Sequence, residues 1–367
     1  METYARELVP RLAAREDLRV TCLVNRETAG VDGPWGKACP MEVVPVRASN
    51  RIEWVRGEQQ YVPRIASRIG TDLIHSLGST SPFWGRVPRV TTIHDLNYLL
   101  VPEAHFGLRG LGMRALIPGA ARCSRRVIVD AASTREDLRR HLRIDPAKVD
   151  VVPLAAAPPG PVTPTPAAAL RERLGLADRS VLLSPGAKRP HKNLATVLQA
   201  LARMDAAVRP VLVATGYRTP YEEELWSRAA ALGVSQDLVM PPRLDAADLE
   251  GLFALATLVV FVSRYEGFGL PVLEAMVRGV PVVAANTSAL PEVAGDAAVL
   301  VDPEDPGALA GVLGRLLADA DERAQLAESG RERAAGFTWE RSAELTAASY
   351  VRAVQPAGLR SSSTIPS

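Results

Sequence analysis

Short aliphatic, β-branched runs alternate with amphipathic segments along almost the whole chain, and this alternation limits the fold more than any other feature of the sequence. In the first half, strands are expected near Val20–Val24, Asp72–Ser76, Arg89–His94, Arg126–Val129 and Val149–Val152. In the second half they are expected near Ser180–Ser184, Pro210–Ala214, Leu238–Met240, Leu258–Val262 and Pro281–Ala285. Helical periodicity lies between them, as in Thr134–Leu142, Leu194–Met204 and Ala246–Leu255. A strand, helix, strand repeat covers each strand on both faces, so the expected class is α/β with parallel sheets.

The 367 residues allow two such units at roughly 150 residues per domain. Six prolines in the fourteen residues from Pro153 to Pro166 are too rigid and donor-poor for a helix or a central strand. The expected organisation is a doubly wound domain over 1–155, a linker over 156–168 and a second doubly wound domain over 169–336. A helix over 337–355, with Trp339, Leu345 and Tyr350 on its apolar face, is expected to pack back across the cleft, and 356–367 to be a disordered tail. Charge divides with the domains: residues 1–160 carry +6 and residues 161–367 carry −4. Cys22, Cys39 and Cys123 form no CxxC pair and read as free, partly buried thiols. No apolar run is long enough to span a bilayer, and Glu2, Arg6, Glu7 and Arg11 interrupt any signal-peptide core, so the cytoplasm is the expected compartment.

The strongest chemical signal is SRYEGFGLPVLEAM, Ser263–Met276, at the carboxyl end of an expected strand. Open parallel sheets bind ligands there. Gly267 and Gly269 let backbone approach a ligand, and a helix starting near Leu270 offers unpaired amides to an anion. Glu266 in the loop and Glu274 in the helix can then grip a sugar hydroxyl and a ribose, with a pyrophosphate between them. The bland alternative is a glycine turn before a helix with an exposed glutamate.

A second signal, SPGAKRPHKNLATVL, sets Gly186 at a turn and gathers Lys188, Arg189, His191 and Lys192 ahead of Leu194. Cations at a helix start oppose the helix dipole, which argues for a phosphate role over a merely solvated turn. Only four of the 43 basic residues are lysine, and two of them are here. A compact ammonium on a diphosphate explains that choice. The third signal is His94 followed by Asp95 at a strand end, where the ring can face a cleft; a structural pair is the alternative. His75 carries only a structural reading.

Together these residues resemble the family 4 retaining glycosyltransferases of the GT-B fold, two doubly wound Rossmann-like domains facing across a cleft. The resemblance is densest over Val239–Asp305, in ADLEGLFALA, EGFGLPVLEAM and GVPVVAANTSALPEVAGDAAVLVDPED. It implies transfer of a mannose- or glucose-like hexose from a nucleotide-diphosphate sugar to a glycan, lipid-linked or small-molecule acceptor, with retention and without a metal. It implies Glu274 on the ribose, Glu266 on the transferred sugar and Lys192 on the diphosphate. Amides at Gly267, Phe268, Gly269 and Leu270 would join the lysine, and His94 would lie against the sugar from the opposite domain. The family's arginine after the phosphate-turn glycine is Ala187 here, so Lys188 or Arg189 is expected to supply that charge. The donor is a substrate, and no separate cofactor is expected. Asp319–Asp321, an Asp-x-Asp triplet, reads as a solvated helical face.

Three further expectations come from the first domain. The chain opens on an amphipathic helix with Tyr4, Leu8 and Leu12 on one face, where the family has a preceding strand and glycine turn. Residues upstream of Met1, holding that central strand, are therefore expected. From Ala104 to Val129 there is no acid, while Arg109, Arg114, Arg122, Arg125 and Arg126 accompany leucines, which suits contact with anionic lipid at the inner face of the membrane. Gly110, Gly112 and Pro118 are expected to break a helix there, leaving a basic domain face as the alternative. Aromatic residues are not interleaved with these arginines, so nucleic acid is not an expected partner. Competing readings are a nucleotide-sugar hydrolase or epimerase, and a non-catalytic nucleotide-sugar-binding protein. GFGLPV lacks the third glycine of GxGxxG, which disfavours a dehydrogenase.

Overall fold

The computed structural model describes residues 2–31, 33–101, 108–156, 162–242 and 244–355, with side chains omitted at 108–111. Twelve strands, all paired in parallel, fall into three sheets among these residues. The second half holds β7 (Val181–Ser184), β8 (Val211–Ala214), β9 (Leu238–Val239), β10 (Leu258–Phe261), β11 (Val282–Ala285) and β12 (Val299–Val301). They form one sheet of order β12-β11-β10-β7-β8-β9. Every residue of β7, β8, β10 and β11 is buried, as helices on both faces require. From β7 the chain builds outward through β8 and β9, then returns to lay β10 on the other side. The β7/β10 boundary is therefore the topological switch point.

The first half is less continuous. β3 (Ile74–Ser76), β4 (Arg89–Thr92), β5 (Arg126–Val129) and β6 (Val149–Val151) form one four-stranded sheet. β1 (Cys22–Val24) and β2 (Met41–Val43) pair separately, so this half is two sheets rather than one doubly wound sheet. β2 and β12 were not anticipated; Met41–Val43 is too short and exposed to show a pattern. The opening helix, Glu2–Ala13, buries Tyr4, Leu8, Val9 and Leu12, and Tyr4, Leu8 and Leu12 join the core that continues through the second half.

The helix Trp339–Val354 lies on the first half. Ser342 Oγ donates to Pro153 O (2.6 Å), Ser349 Oγ to Asp150 (2.7 Å), and Tyr350 Oη meets His75 Nδ1 at 2.7 Å. Part of the linker expectation (157–161), the tail from 356, Arg243 and residues 102–107 of the basic stretch lie outside the described residues.

Two expectations need correction. Leu108–Cys123 is one helix that runs through Gly110, Gly112 and Pro118. In the basic stretch, Arg122 donates to Leu142 O, Arg125 to Gln355 O, and Arg126 pairs with Asp150, while Arg114 is exposed. The three cysteines are free as expected, with Cys22 Sγ and Cys39 Sγ 3.3 Å apart, but Cys123 is exposed rather than partly buried. Among the described residues no helix is long and apolar enough to cross a membrane.

Candidate active site

The switch point sets the site. After β7 the chain turns at Gly186 (φ +125°), and after β8 it turns at Gly216 (φ +98°). A Cβ at 216 would fall 2.3 Å from the Gly186 carbonyl oxygen, so the two loops pack backbone on backbone and only glycine fits. The β7 loop then makes a short helical turn at Pro190–Lys192 and ends at Asn193, itself left-handed (φ +58°). The buried Asn193 amide donates to Val262 O (3.2 Å) and Pro303 O (2.7 Å), fastening this loop to the end of β10. Lys192 is thereby carried to the β10 loop, where its Nζ lies 2.6 Å from Glu266 Oε1 and 4.8 Å from the Phe261 ring centroid. The loop after β11 braces the same place: Glu266 N donates to Ser288 Oγ (2.9 Å) and Thr287 Oγ1 to Ser263 O (3.0 Å).

A cavity of about 300 Å³ opens at these loop ends. Arg189, His191, Lys192, Tyr217 and Glu266 line it from the second half, and Asp95 and Asn97 from the first. Arg189 Nη2 donates to Tyr217 Oη (2.5 Å). Burial pushes the His191 ring down to about 4, so this histidine is neutral near pH 7 and the cavity's cations are Lys192 and Arg189.

Not every expected residue joins them. Lys188 is buried, its Nζ donating to Gly216 O (2.9 Å) and pairing with Glu222 (3.0 Å), so it points away from the cavity and Arg189 is the one beside Lys192. His94 is paired with Asp130 (2.7 Å) rather than its neighbour Asp95, and its other nitrogen meets Leu77 O (3.0 Å). Burial works against the charged ring, but the Asp130 carboxylate outweighs it and raises the His94 pKa. Asp95 accepts from Asn97 N (2.9 Å) and is the first-half carboxylate that lines the cavity.

Gly267 touches the opposite half directly: a Cβ there would fall 1.9 Å from the His94 carbonyl oxygen. Gly269 (φ +109°) starts the helix Leu270–Val277, with Phe268 buried edge-on to Phe337 (6.0 Å). Glu274 lies on that helix and not in the lining of the cavity; burial raises its carboxyl pKa, with Arg278 opposing. Asp319 caps the helix Ala320–Ala335 by accepting from Glu322 N (2.8 Å). Among the described residues no cluster of three His, Cys, Asp or Glu side chains is arranged to hold a metal ion.

Sequence reasoning missed the contacts that hold the halves together. The helix Ala132–Leu142 begins at Ala131, which has no capping side chain, and Glu292 of the second half accepts from its Ala132 N (2.8 Å) and Ser133 N. Thr134 Oγ1 donates to Gly267 O (3.3 Å), and Tyr265 Oη donates to Asp137 (2.9 Å) while accepting from Leu96 N (3.2 Å). A helix start without a Ser, Thr, Asp or Asn cap was the available signal. For Tyr217, the signal was a glycine following a strand.

Residues 167–333 match the family described as Glycosyl transferases group 1, and residues 1–156 match Glycosyltransferase Family 4. The O-antigen chain mannosyltransferase B of Escherichia coli is 32% identical over 267 residues, covering 71% of this chain and 69% of that one. The chain belongs to family 4 of the glycosyltransferases. A D-inositol 3-phosphate glycosyltransferase of Xylanimonas cellulosilytica is 37% identical over 237 residues, and the match spans 57% of its length and 61% of this family 4 chain. The fold is GT-B. The Anabaena Alr3699/HepE structure with UDP-glucose superposes on this glycosyltransferase with a TM-score of 0.74 over 95% of each chain at 21% identity. WaaG, a glycosyltransferase involved in lipopolysaccharide biosynthesis, gives 0.71 over 95% of each at 18%.

Proposed function

We propose that the protein transfers a mannose- or glucose-like hexose from a nucleotide-diphosphate sugar to a glycan, lipid-linked or small-molecule acceptor, with retention and without a metal. The observation that carries this reading is the Lys192–Glu266 pair, 2.6 Å apart, at the switch point of the second sheet. A diphosphate there competes with Glu266 for the ammonium. As Lys192 turns to phosphate, Glu266 is freed to accept hydrogen bonds from the hexose. Arg189, held by Tyr217, adds the second cation, and the amides at the start of Leu270–Val277 add N–H donors. Glu274, whose buried carboxyl is short of solvation, suits the ribose hydroxyls as donors. The mannosyltransferase name of a 32% identical relative favours mannose as the cargo.

In the reaction the acceptor oxygen bonds to the anomeric carbon as the bond from that carbon to the diphosphate oxygen breaks. The acceptor proton passes to the leaving diphosphate on the same face, which gives retention. Catalysis then rests on charge stabilisation of the leaving group and on holding the acceptor, with Asp95 and Asn97 nearest to it from the first half.

Thermal unfolding against a panel of UDP-, GDP- and dTDP-hexoses tests the reading. The cognate donor at a hundred times its Kd adds about 2.7 kcal/mol, a shift of several degrees. Glu274→Ala is expected to abolish that shift, and nucleotide release is expected to require acceptor. Release without acceptor would indicate hydrolysis, and no stabilisation by any donor refutes the assignment.

A further inference from the structure

Two thiols meet in the small sheet of the first half. Cys22 opens β1, and Cys39 directly follows the short helix Pro34–Ala38, two residues before β2 begins. Backbone fixes their approach. Cys22 N donates to Pro40 O (2.9 Å), and Cys22 stands opposite Met41 in the parallel ladder. Cys39 is extended (φ −154°, ψ 160°) and two residues before Met41, so the pleat turns its side chain to the face that Cys22 shares. The Sγ atoms stand 3.3 Å apart. A covalent bond between them has a length of about 2.05 Å, which leaves a side-chain movement of about 1.3 Å.

The surroundings suit a disulfide better than a metal or a nucleophile. Among the described residues no third His, Cys, Asp or Glu joins these sulfurs to hold a metal ion. Cys39 is buried, its Sγ donating to Trp35 O (3.5 Å), while half-buried Cys22 is the sulfur a small reagent can reach. Burial and the adjoining Cys39 thiol push the Cys22 pKa well above the ordinary thiol range. Ionisation therefore does nothing to stabilise the reduced pair near neutral pH, so exchange is slow and the bond, once made, is firm. A bond here has something to hold: β1 and β2 pair with each other and with no other strand among the described residues. A two-stranded sheet is only marginally stable by itself.

We propose that Cys22 and Cys39 are a reversible dithiol–disulfide couple, oxidised by exchange with small disulfides, that staples β1 to the approach of β2. The Cys22 sulfur attacks one sulfur of the small disulfide, whose S–S bond breaks, and the first small thiol leaves with the Cys22 proton. Cys39 Sγ then attacks Cys22 Sγ, and the second small thiol leaves with the Cys39 proton. Two protein S–H groups are oxidised to one S–S bond, and the small disulfide is reduced to two thiols. The ring closed over residues 22–39 limits the opening of both strands. The couple lies outside the candidate active site and does not depend on the sugar-transfer reading.

The test uses the full chain carrying Cys123→Ser, which removes the exposed third thiol. It is incubated for hours with bis(2-hydroxyethyl) disulfide at about pH 8. Intact mass is expected to fall by two hydrogens, digestion to yield a Cys22–Cys39 linked peptide, and dithiothreitol to reverse both. Amide exchange over β1 and β2 is expected to slow about a hundredfold in the oxidised chain, as closing a loop of this length implies. Adding Cys39→Ser is expected to leave one hydroxyethyl adduct on Cys22 and no slowing. Two free thiols persisting in the folded chain, while the same reagent oxidises the urea-unfolded chain, overturn the proposal. So does a Cys22 adduct that Cys39 fails to displace, or unchanged exchange in the oxidised chain. A doubled mass overturns it in favour of a covalent dimer.

Discussion

The two halves of the molecule face one cavity but are built to different standards. In the second half a single six-stranded sheet ends in loops that are fastened to one another: Asn193 to β10, Ser288 and Thr287 to the β10 loop, and Gly216 to Gly186. In the first half the strands fall into two sheets, and Asp95 and Asn97 are the side chains that reach the cavity. Its approach to the site is set by contacts across the cleft, through Gly267, Tyr265 and Glu292. A charge-stabilising site gains from groups fixed before the substrate arrives. An acceptor side gains from a position that binding can adjust. The preorganised side is the one carrying Lys192 and Glu266.

The comparison can be broken most sharply with two lysines four residues apart. Lys188 is fully buried against Glu222, whereas Lys192 is one-fifth exposed against Glu266. Lys188→Ala leaves the buried Glu222 carboxylate only the exposed Arg218, 3.5 Å away, and is expected to cost about 3 kcal/mol in urea unfolding of the second half. Lys192→Ala is expected to leave that transition nearly in place and lower the single-turnover rate by about two to three orders of magnitude. If Lys192→Ala unfolds the domain, or Lys188→Ala loses activity at full stability, the assignment of roles is reversed.

Gly267 offers the next test, because it is where the preorganised side leans on the adjustable one. An alanine Cβ would overlap the His94 carbonyl, so Gly267→Ala is expected to part the halves without unfolding either. Small-angle scattering should show a larger radius of gyration, with turnover lost. An unchanged radius with full turnover would show that the contact is dispensable.

Legibility followed the same division. Buried parallel strands write themselves as aliphatic runs, so β7, β8, β10 and β11 fell within a residue or so of expectation. The glycine turns and the placing of Glu266 and Lys192 at strand ends were readable because loops after parallel strands restrict residue type locally. What was not readable depends on distant partners. Asp130, 36 residues away, rather than Asp95, holds His94, and Glu222 rather than a phosphate takes Lys188. Glu292 caps a helix 160 residues earlier in the chain, which no local pattern encodes. The run through Pro118 shows tertiary packing outweighing a helix-breaking residue, with Ile117, Ala120 and Ala121 buried around it.

Acid should separate the halves by a smaller amount, through a histidine in each. Burial lowers the pKa of His75, in the first half, from its ordinary 6.5 to about 3, and that of His191, in the second, to about 4. The unfolded chain takes up a proton at His75 near pH 6.5, but the folded chain refuses it until about 3. Stability present above pH 6.5 is therefore lost as pH falls between these values, by about 1.4 kcal/mol per unit. His94, raised by Asp130, works in the opposite direction and masks part of this in the wild type. A His75→Gln variant removes the His75 contribution while leaving His94 in place. Its first-half transition in urea is expected to be less stable at pH 7.5, because the bonds to Tyr350 and Thr92 are weakened. Toward pH 5 it should close on the wild type by about 2 kcal/mol. Parallel pH curves for the two proteins would mean that His75 titrates normally in the fold, and that its bonds to Tyr350 and Thr92 do not keep it neutral.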